Sequence, residues 1–288
     1  MIKVAVCGAN GKMGQEVVKA VNADNETELV AKIDIVNGEY NSIEDAHKSK
    51  EIDILVDFTQ PKSIYENALY CLNNGINIVI GTTGLKDEQI KELKQLSEKN
   101  KVACFIAPNF STGAVLMMKF AQMAAKYFDN AEIIELHHNQ KKDAPSGTAV
   151  KTAQLMAEAN KSFTTGNCEE TETIEGARGA NSYDNIHIHS VRMPGYMASQ
   201  EVLFGSDGQI LSIRHDSTNR TCYMPGVMMA VKYAYVIPNN ANINNNIAII
   251  LVIILFFTLS ISCILYSYLY NNNFIVILKK IQYILQNL

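Results

Sequence analysis

The first hundred residues alternate short apolar runs with amphipathic stretches. Ile2–Cys7 is rich in valine and isoleucine and stops at Gly8, the pattern of a parallel strand buried on both faces. From Lys12 to Val21, apolar side chains recur at Met13, Val17, Val18 and Val21, a helical spacing. Residues 29–34, 52–58, 77–80 and 102–107 repeat the strand pattern, and residues 62–72 and 87–99 repeat the helical one. This β-α-β alternation predicts an α/β fold with a Rossmann-like, doubly wound parallel sheet. The pattern then changes. Residues 112–127 read as a helix, 132–137 as a strand, and a second helix starts at Ser146. Residues 185–214 are strand-like, with alternation over 186–191 and 209–214 and turns at Gly195, Gly205 and Gly208. We read this stretch as a second, α+β domain with a mixed sheet. Met224–Val236 reads as a helix that returns to the first domain. The expected division is therefore 1–110, completed by 221–238, and 111–220.

Residues 239–288 depart from everything before them. Lys232 is the last charge until Lys279, and Gly226 is the last glycine. Residues 247–270 form an uncharged stretch, long enough as a helix to span a bilayer and flanked by Asn244–Asn246 and Asn271–Asn273. Two readings stay open for this apolar tail: a C-terminal membrane anchor, or an extension translated from AT-rich sequence after a frameshift or a lost stop. Lys279 and Lys280 beyond the span favour a cytoplasmic C-terminus, which would put the preceding domains on the other side of the membrane and argues mildly against an anchor.

Charge and cysteine usage narrow the function. The 288 residues carry a net charge of −4, which offers no basic face for nucleic acid. The six cysteines are scattered without a CxxC pair, and the first residues run straight into Gly8 rather than forming a secretory signal. Reduced core cysteines in a cytoplasmic protein are the expectation.

Gly8-Ala9-Asn10-Gly11-Lys12-Met13-Gly14 lies between the first predicted strand and helix. Glycines there allow a tight turn and a close approach of backbone to a pyrophosphate facing the helix N-terminus. Asp34 ends the next strand, where a carboxylate accepts hydrogen bonds from ribose hydroxyls and repels a 2′-phosphate. NADH is the expected cofactor, with NADPH also admitted if Lys12 or Lys32 steers a phosphate. Gly81-Thr82-Thr83-Gly84 and Ala107-Pro108-Asn109-Phe110 follow later strands, where loops line the ligand crevice of an open sheet. Both are candidates for the nicotinamide end; the alternative is ordinary connecting loops.

The densest chemistry is Glu135-Leu136-His137-His138-Asn139-Gln140-Lys141-Lys142-Asp143-Ala144-Pro145-Ser146-Gly147-Thr148-Ala149. The Pro-Ser-Gly-Thr turn starts a helix whose N–H groups are free for an anion. Lys141 binds a carboxylate or donates a proton, and histidines titrate near neutrality, which suits general acid work. The loop is suited to a small dianionic substrate that must be protonated. His187 and His189 share one face of a predicted strand, but no HExxH and no cysteine cluster accompanies them, so no metal is expected.

This fifteen-residue stretch resembles the signature of the dihydrodipicolinate reductases, now called 4-hydroxy-tetrahydrodipicolinate reductases. The resemblance extends to Gly8–Gly14, Asp57-Phe58-Thr59, Gly81–Gly84 and Ala107–Phe110, and more weakly to Arg178-Gly179 and His189-Ser190-Val191-Arg192, covering residues 1–238. It implies that His137 is the catalytic proton donor and acceptor, that Lys141 is a second donor, and that His138, Gly147 and Thr148 bind substrate. It implies cofactor contacts at Gly8, Ala9, Asn10, Gly11, Lys12, Met13, Asp34, Gly81, Thr82, Thr83, Ala107, Pro108, Asn109 and Phe110. The implied reaction takes the cyclic dicarboxylate made from aspartate semialdehyde and pyruvate, with loss of water and addition of hydride, to tetrahydrodipicolinate. The implied setting is lysine and diaminopimelate synthesis by a cytoplasmic homotetramer assembled through the second domain's sheet. The competing reading is an NAD(P)-binding sensor or scaffold that keeps this fold without turnover.

Overall fold

The computed structural model describes residues 1–236 except 108, 161 and 167. The tail 239–288, with its span 247–270, lies outside the described residues.

Five parallel strands form the first sheet: β1 (Ile2–Cys7), β2 (Thr27–Ile33), β3 (Ile54–Asp57), β4 (Asn77–Ile80) and β5 (Cys104–Ile106), in the order β2-β1-β3-β4-β5. The pleat of β1 explains why both faces must be covered. Val4 and Val6 point to one side, into a core with Val17 and Val21 of α1 (Lys12–Ala23) and Val227 and Val231 of α7 (Met224–Val236). Ala5 and Cys7 point to the other, into a core with α2 (Ile43–Ser49), α3 (Ile64–Asn73) and α4 (Asp87–Asn100). Helix α7 is thus the C-terminal return expected from the sequence, and its Gly226 packs directly on the chain at Phe110: a Cβ there would lie 2.1 Å from the Phe110 carbonyl oxygen.

The second sheet has the order β10-β9-β6-β8-β7. Its strands are β6 (Asn130–His137), β7 (Ala180–Tyr183), β8 (Ile186–Arg192), β9 (Ala198–Ser206) and β10 (Gln209–Ser217). Only β6 and β8 run parallel, so the sheet is mixed, as expected. Ala131, Ile133, Ile188, Val202 and Phe204 face α5 (Thr112–Ala124) and α6 (Gly147–Ala159), which supply Ala121, Ala149, Ala153 and Met156. The alternate residues Glu132, Ile134 and Leu136 lie on the opposite face and are only half-buried.

Two elements differ from the sequence reading. Helix α2 was not expected; Ser42 caps it by accepting from the Asp45 N–H, with Glu44 and Asp45 in its first turn. Strand β7 was not expected either. It pairs with β8 through a two-residue turn in which Asp184 and Asn185 both take positive φ, 53° and 62°.

Candidate active site

The order β2-β1-β3 makes a switch point: the chain leaves β1 toward β2 and then crosses back to β3. Ligands of open α/β sheets bind at such points, beyond the strand C-termini. A cleft of about 680 Å³ lies there, lined by Gly8, Asn10, Gly11, Asp34, Thr59 and Lys62 among others. Gly8 has φ +79°, and an added Cβ would meet the Phe58 carbonyl oxygen at 2.4 Å; at Gly14 it would meet the Gly8 oxygen at 2.0 Å. The turn is closed tightly by backbone on both sides, so neither glycine can be replaced without opening it. Helix α1 begins at N-cap Gly11 with no side-chain cap, which leaves its N-terminus open to an anion. Asp34 accepts from the N–H groups of Asn10 and Val36, both at 2.9 Å, and so is fixed at the cleft wall. This uncapped N-terminus, backed by a glycine cradle and a carboxylate, fits a dinucleotide.

The remaining cofactor candidates are distributed unevenly. The side chains of Ala9 and Met13 turn into the core beside α7, while Lys12 is exposed. Lys12 and Lys32 lie outside the cleft wall, whereas Lys62, not singled out in the sequence, is part of it. Gly81 packs against the Phe58 ring, where a Cβ would come within 2.2 Å. Thr82 donates to the Asp57 carboxylate at 2.7 Å, and Thr83 is exposed. The same Asp57 oxygen accepts from the N–H and hydroxyl of Thr59 at 2.9 and 2.7 Å, and its other oxygen accepts from Asn67 at 2.8 Å. Asp57 is fully buried and ties the loops after β3 and β4 together. Ala107 and Phe110 are buried, Phe110 against Phe58 with ring centroids 6.0 Å apart. Pro108 lies outside the described residues. Asn109 donates to the Thr148 hydroxyl at 3.3 Å, so the loop after β5 touches the start of α6.

The catalytic candidates gather at the C-terminal ends of the parallel strands β6 and β8. His137 closes β6, in register with Arg192 at the end of β8. Its Nδ1 lies 2.5 Å from Oε2 of Glu135, which is 0 % exposed. Arg192 donates to both oxygens of the same carboxylate at 2.7 and 2.8 Å, and the Ser146 N–H adds a bond at 3.1 Å. Burial pushes Glu135 upward, but hydrogen bonds from His137, Arg192 and Ser190 outweigh it and hold the carboxyl at about 2. Glu135 is therefore ionised and accepts only.

After His137 the loop turns outward. His138 is exposed, its Nδ1 accepting from the Gln140 N–H at 3.2 Å. Lys141 is paired with both oxygens of Asp143 at 2.8 Å, and this ion pair holds the Asp143 carboxyl below the usual carboxylate range. Ser146 caps α6 by accepting from the Ala149 N–H at 3.2 Å, while Gly147 is exposed beside it. The structure thus brings His137, Lys141 and the Gly147-Thr148 turn onto one loop and leaves His138 at its rim.

The other histidines do different work. His187 is buried, with Nδ1 2.6 Å from the Arg178 carbonyl oxygen, and His189 meets Glu132 at 2.7 Å. His215 sits 3.2 Å from the Ser111 hydroxyl, and burial pushes it below the ordinary histidine range. No group of three or more His, Cys, Asp or Glu among the described residues could hold a metal ion.

Comparison with known proteins identifies the family. The family models for the N-terminus and C-terminus of dihydrodipicolinate reductase match residues 2–110 and 113–246. The 4-hydroxy-tetrahydrodipicolinate reductase of Listeria monocytogenes is 51% identical over 247 residues, covering 80% of this chain and 94% of the relative. That of Gloeothece citriformis is 47% identical over 254 residues, covering 80% and 92%. The dipicolinate-bound dihydrodipicolinate reductase of a Paenisporosarcina species superposes with a TM-score of 0.77 at 46% identity, covering 83% of this chain and 96% of that one. A myo-inositol 2-dehydrogenase from Lactobacillus plantarum, at 12% identity and a TM-score of 0.55, shares the fold alone. With both family models matched and close relatives covered almost end to end, the chain belongs to the dihydrodipicolinate reductase family.

Proposed function

We propose that this chain is a 4-hydroxy-tetrahydrodipicolinate reductase, an NAD(P)H-dependent oxidoreductase of lysine and diaminopimelate synthesis that acts on a small cyclic dicarboxylate. The observation that carries the reading is the contact between Asn109 and Thr148, which joins the loop beyond β5 to the first turn of α6. Bound NAD(P)H supplies the hydride. The chain's own residues do the rest. The α6 N-terminus at Gly147 and Thr148 and the Lys141 ammonium bind the substrate carboxylates, with Lys141 exchanging Asp143 for substrate. The 4-hydroxyl leaves as water, reduction adds one hydride and one proton to the ring, and His137 delivers the proton, with Lys141 as a second donor. His138 contributes to substrate binding at the loop rim.

The cofactor binds, on this reading, along Gly8–Met13 and Asp34, with its reactive end at Gly81–Thr83 and Ala107–Phe110. Asp34 favours NADH. Lys62 lines the same cleft and, beside Lys12 and Lys32, is a further candidate cation for the 2′-phosphate of NADPH. Residues 1–110 with 221–238 act as the cofactor domain, and 111–220 as the substrate and assembly domain. The half-buried face of the second sheet at Ile134 and Leu136 supports assembly into a homotetramer, and the setting is cytoplasmic. Among the described residues no helix is long and apolar enough to cross a membrane.

The test supplies the cyclic dicarboxylate freshly made from aspartate semialdehyde and pyruvate and follows NADH absorbance. The reductase consumes NADH only when substrate is present. A sensor or scaffold binds NADH and consumes none.

A further inference from the structure

One carboxylate connects three parts of the substrate site. Glu135 lies on β6 two residues before His137, on the face that packs against α6 rather than toward solvent, and it is 0 % exposed. It contacts the His137 ring, the Arg192 guanidinium and the Ser146 N–H that opens the α6 turn. Arg192 reaches further: its Nη2 also donates to the Asp143 carbonyl oxygen at 2.8 Å, inside the loop that carries Lys141. A buried carboxylate with no solvent contact has to be satisfied by such partners, and here each partner belongs to a different piece of the site.

We propose that Glu135 is a positioning residue for the reduction: it fixes the His137 proton on Nδ1, leaves Nε2 to exchange a proton with substrate, and through Arg192 holds the Lys141 loop. The inference rests on the reductase reading for its kinetic consequence, but its geometry stands apart. An ionised carboxylate has no proton to give, so Nδ1 of His137 must be the donor in their 2.5 Å contact. Whenever the ring is neutral, this contact holds it in one tautomer, with Nε2 unprotonated and able to accept a proton. The fork of Arg192 occupies both oxygens and so stops the carboxylate from rotating away from the ring. An Nδ1–carboxylate contact of this type orients imidazoles in unrelated enzymes, where the wrong tautomer costs far more activity than the lost hydrogen bond itself.

The test uses the full chain labelled with ¹⁵N-histidine, the His137 signals being assigned by difference from His137→Gln. Recorded at a pH high enough that the ring is neutral, the wild-type protein is expected to show His137 with a protonated Nδ1 and an unprotonated Nε2. Glu135→Gln should lose that preference and lower kcat by about a hundredfold or more, with NADH binding unchanged. A wild-type His137 protonated on Nε2 would overturn the proposal, as would a Glu135→Gln variant that keeps wild-type kcat. If Glu135→Gln does not fold, the wild-type spectrum still decides, because the tautomer needs no variant. A wild-type chain without turnover would refute the reductase reading and leave the tautomer as an independent test of Glu135.

Discussion

A histidine becomes a directional proton carrier only when its surroundings decide which nitrogen holds the proton. His137 meets that condition, and Lys141 stands four residues on in the same loop with a single exposed partner, Asp143. We predict that His137→Gln and Lys141→Ala each lower kcat by about 10²-fold or more while folding and NADH binding persist; two variants with near-normal turnover would remove both from their roles. Cofactor choice is likewise set by single residues. NADH should be used at least as well as NADPH, because Asp34 lines the cleft and is followed by uncharged Ile35. Lys62→Ala should weaken NADPH about tenfold more than NADH, read as Kd for each cofactor by fluorescence titration. An unchanged ratio would return the 2′-phosphate to Lys12 or Lys32. The signature's resemblance to a known family singled out His137 and Lys141 as candidates, and the place of Asp34 at a strand end singled out that residue. Neither revealed Lys62, because nothing local to Gln60-Pro61-Lys62 shows that β3 lies beside β1. Glu135 could be read as part of the signature, but its role depends on Arg192, fifty-seven residues away.

At the level of elements, the β1–α1 turn is the most constrained piece of the fold. Gly14 lies in the first turn of α1 against the Gly8 carbonyl, with no flexible side chain between them to give way. Gly14→Ala should therefore cost about 1–3 kcal/mol of stability and weaken NADH binding by pushing the helix N-terminus off the cleft. Denaturant unfolding and NADH titration measure the two effects; a variant unchanged in both would mean the turn relaxes freely. Elements with a strong apolar period were readable from sequence: β1, α1, β4, α4 and α7 fall where the pattern puts them, give or take frayed ends. The missed elements are those without such a period. Strand β7, Ala180–Tyr183, is short and polar at a sheet edge, and it exists because Asp184 and Asn185 turn it back onto β8. Helix α2 has only seven residues, too few for a helical period to stand out, although Ser42-Ile43-Glu44-Asp45 carries a capping signal.

For the whole molecule, the question is which parts are needed. Both sheets, the cleft, the catalytic loop and α7 fall within residues 1–236. Relatives that cover 80% of this chain are themselves covered to 92–94% by the match. A chain cut after Asn239 should therefore stay folded and keep full kcat, as measured on purified protein; loss of activity would give the remaining residues a part in the fold. Whether those residues anchor the full chain is decided by carbonate-washed membranes from its own cells: activity retained there establishes an anchor, and activity recovered in the supernatant excludes one. The succession of a parallel sheet and a mixed sheet could be read from sequence because each keeps its own period, parallel-buried in the first and alternating in the second. The joining of the two halves could not, since Asn109–Thr148 and Ser111–His215 are contacts between residues distant in the chain. On the reductase reading, one chain passes a hydride from NADH to the cyclic dicarboxylate with its own acid in place. NADH carrying deuterium at the transferred position tests it most directly. Mass spectrometry of the tetrahydrodipicolinate should show one deuterium per ring in step with NADH loss. NADH that binds and keeps its deuterium, with no labelled ring formed, would contradict it.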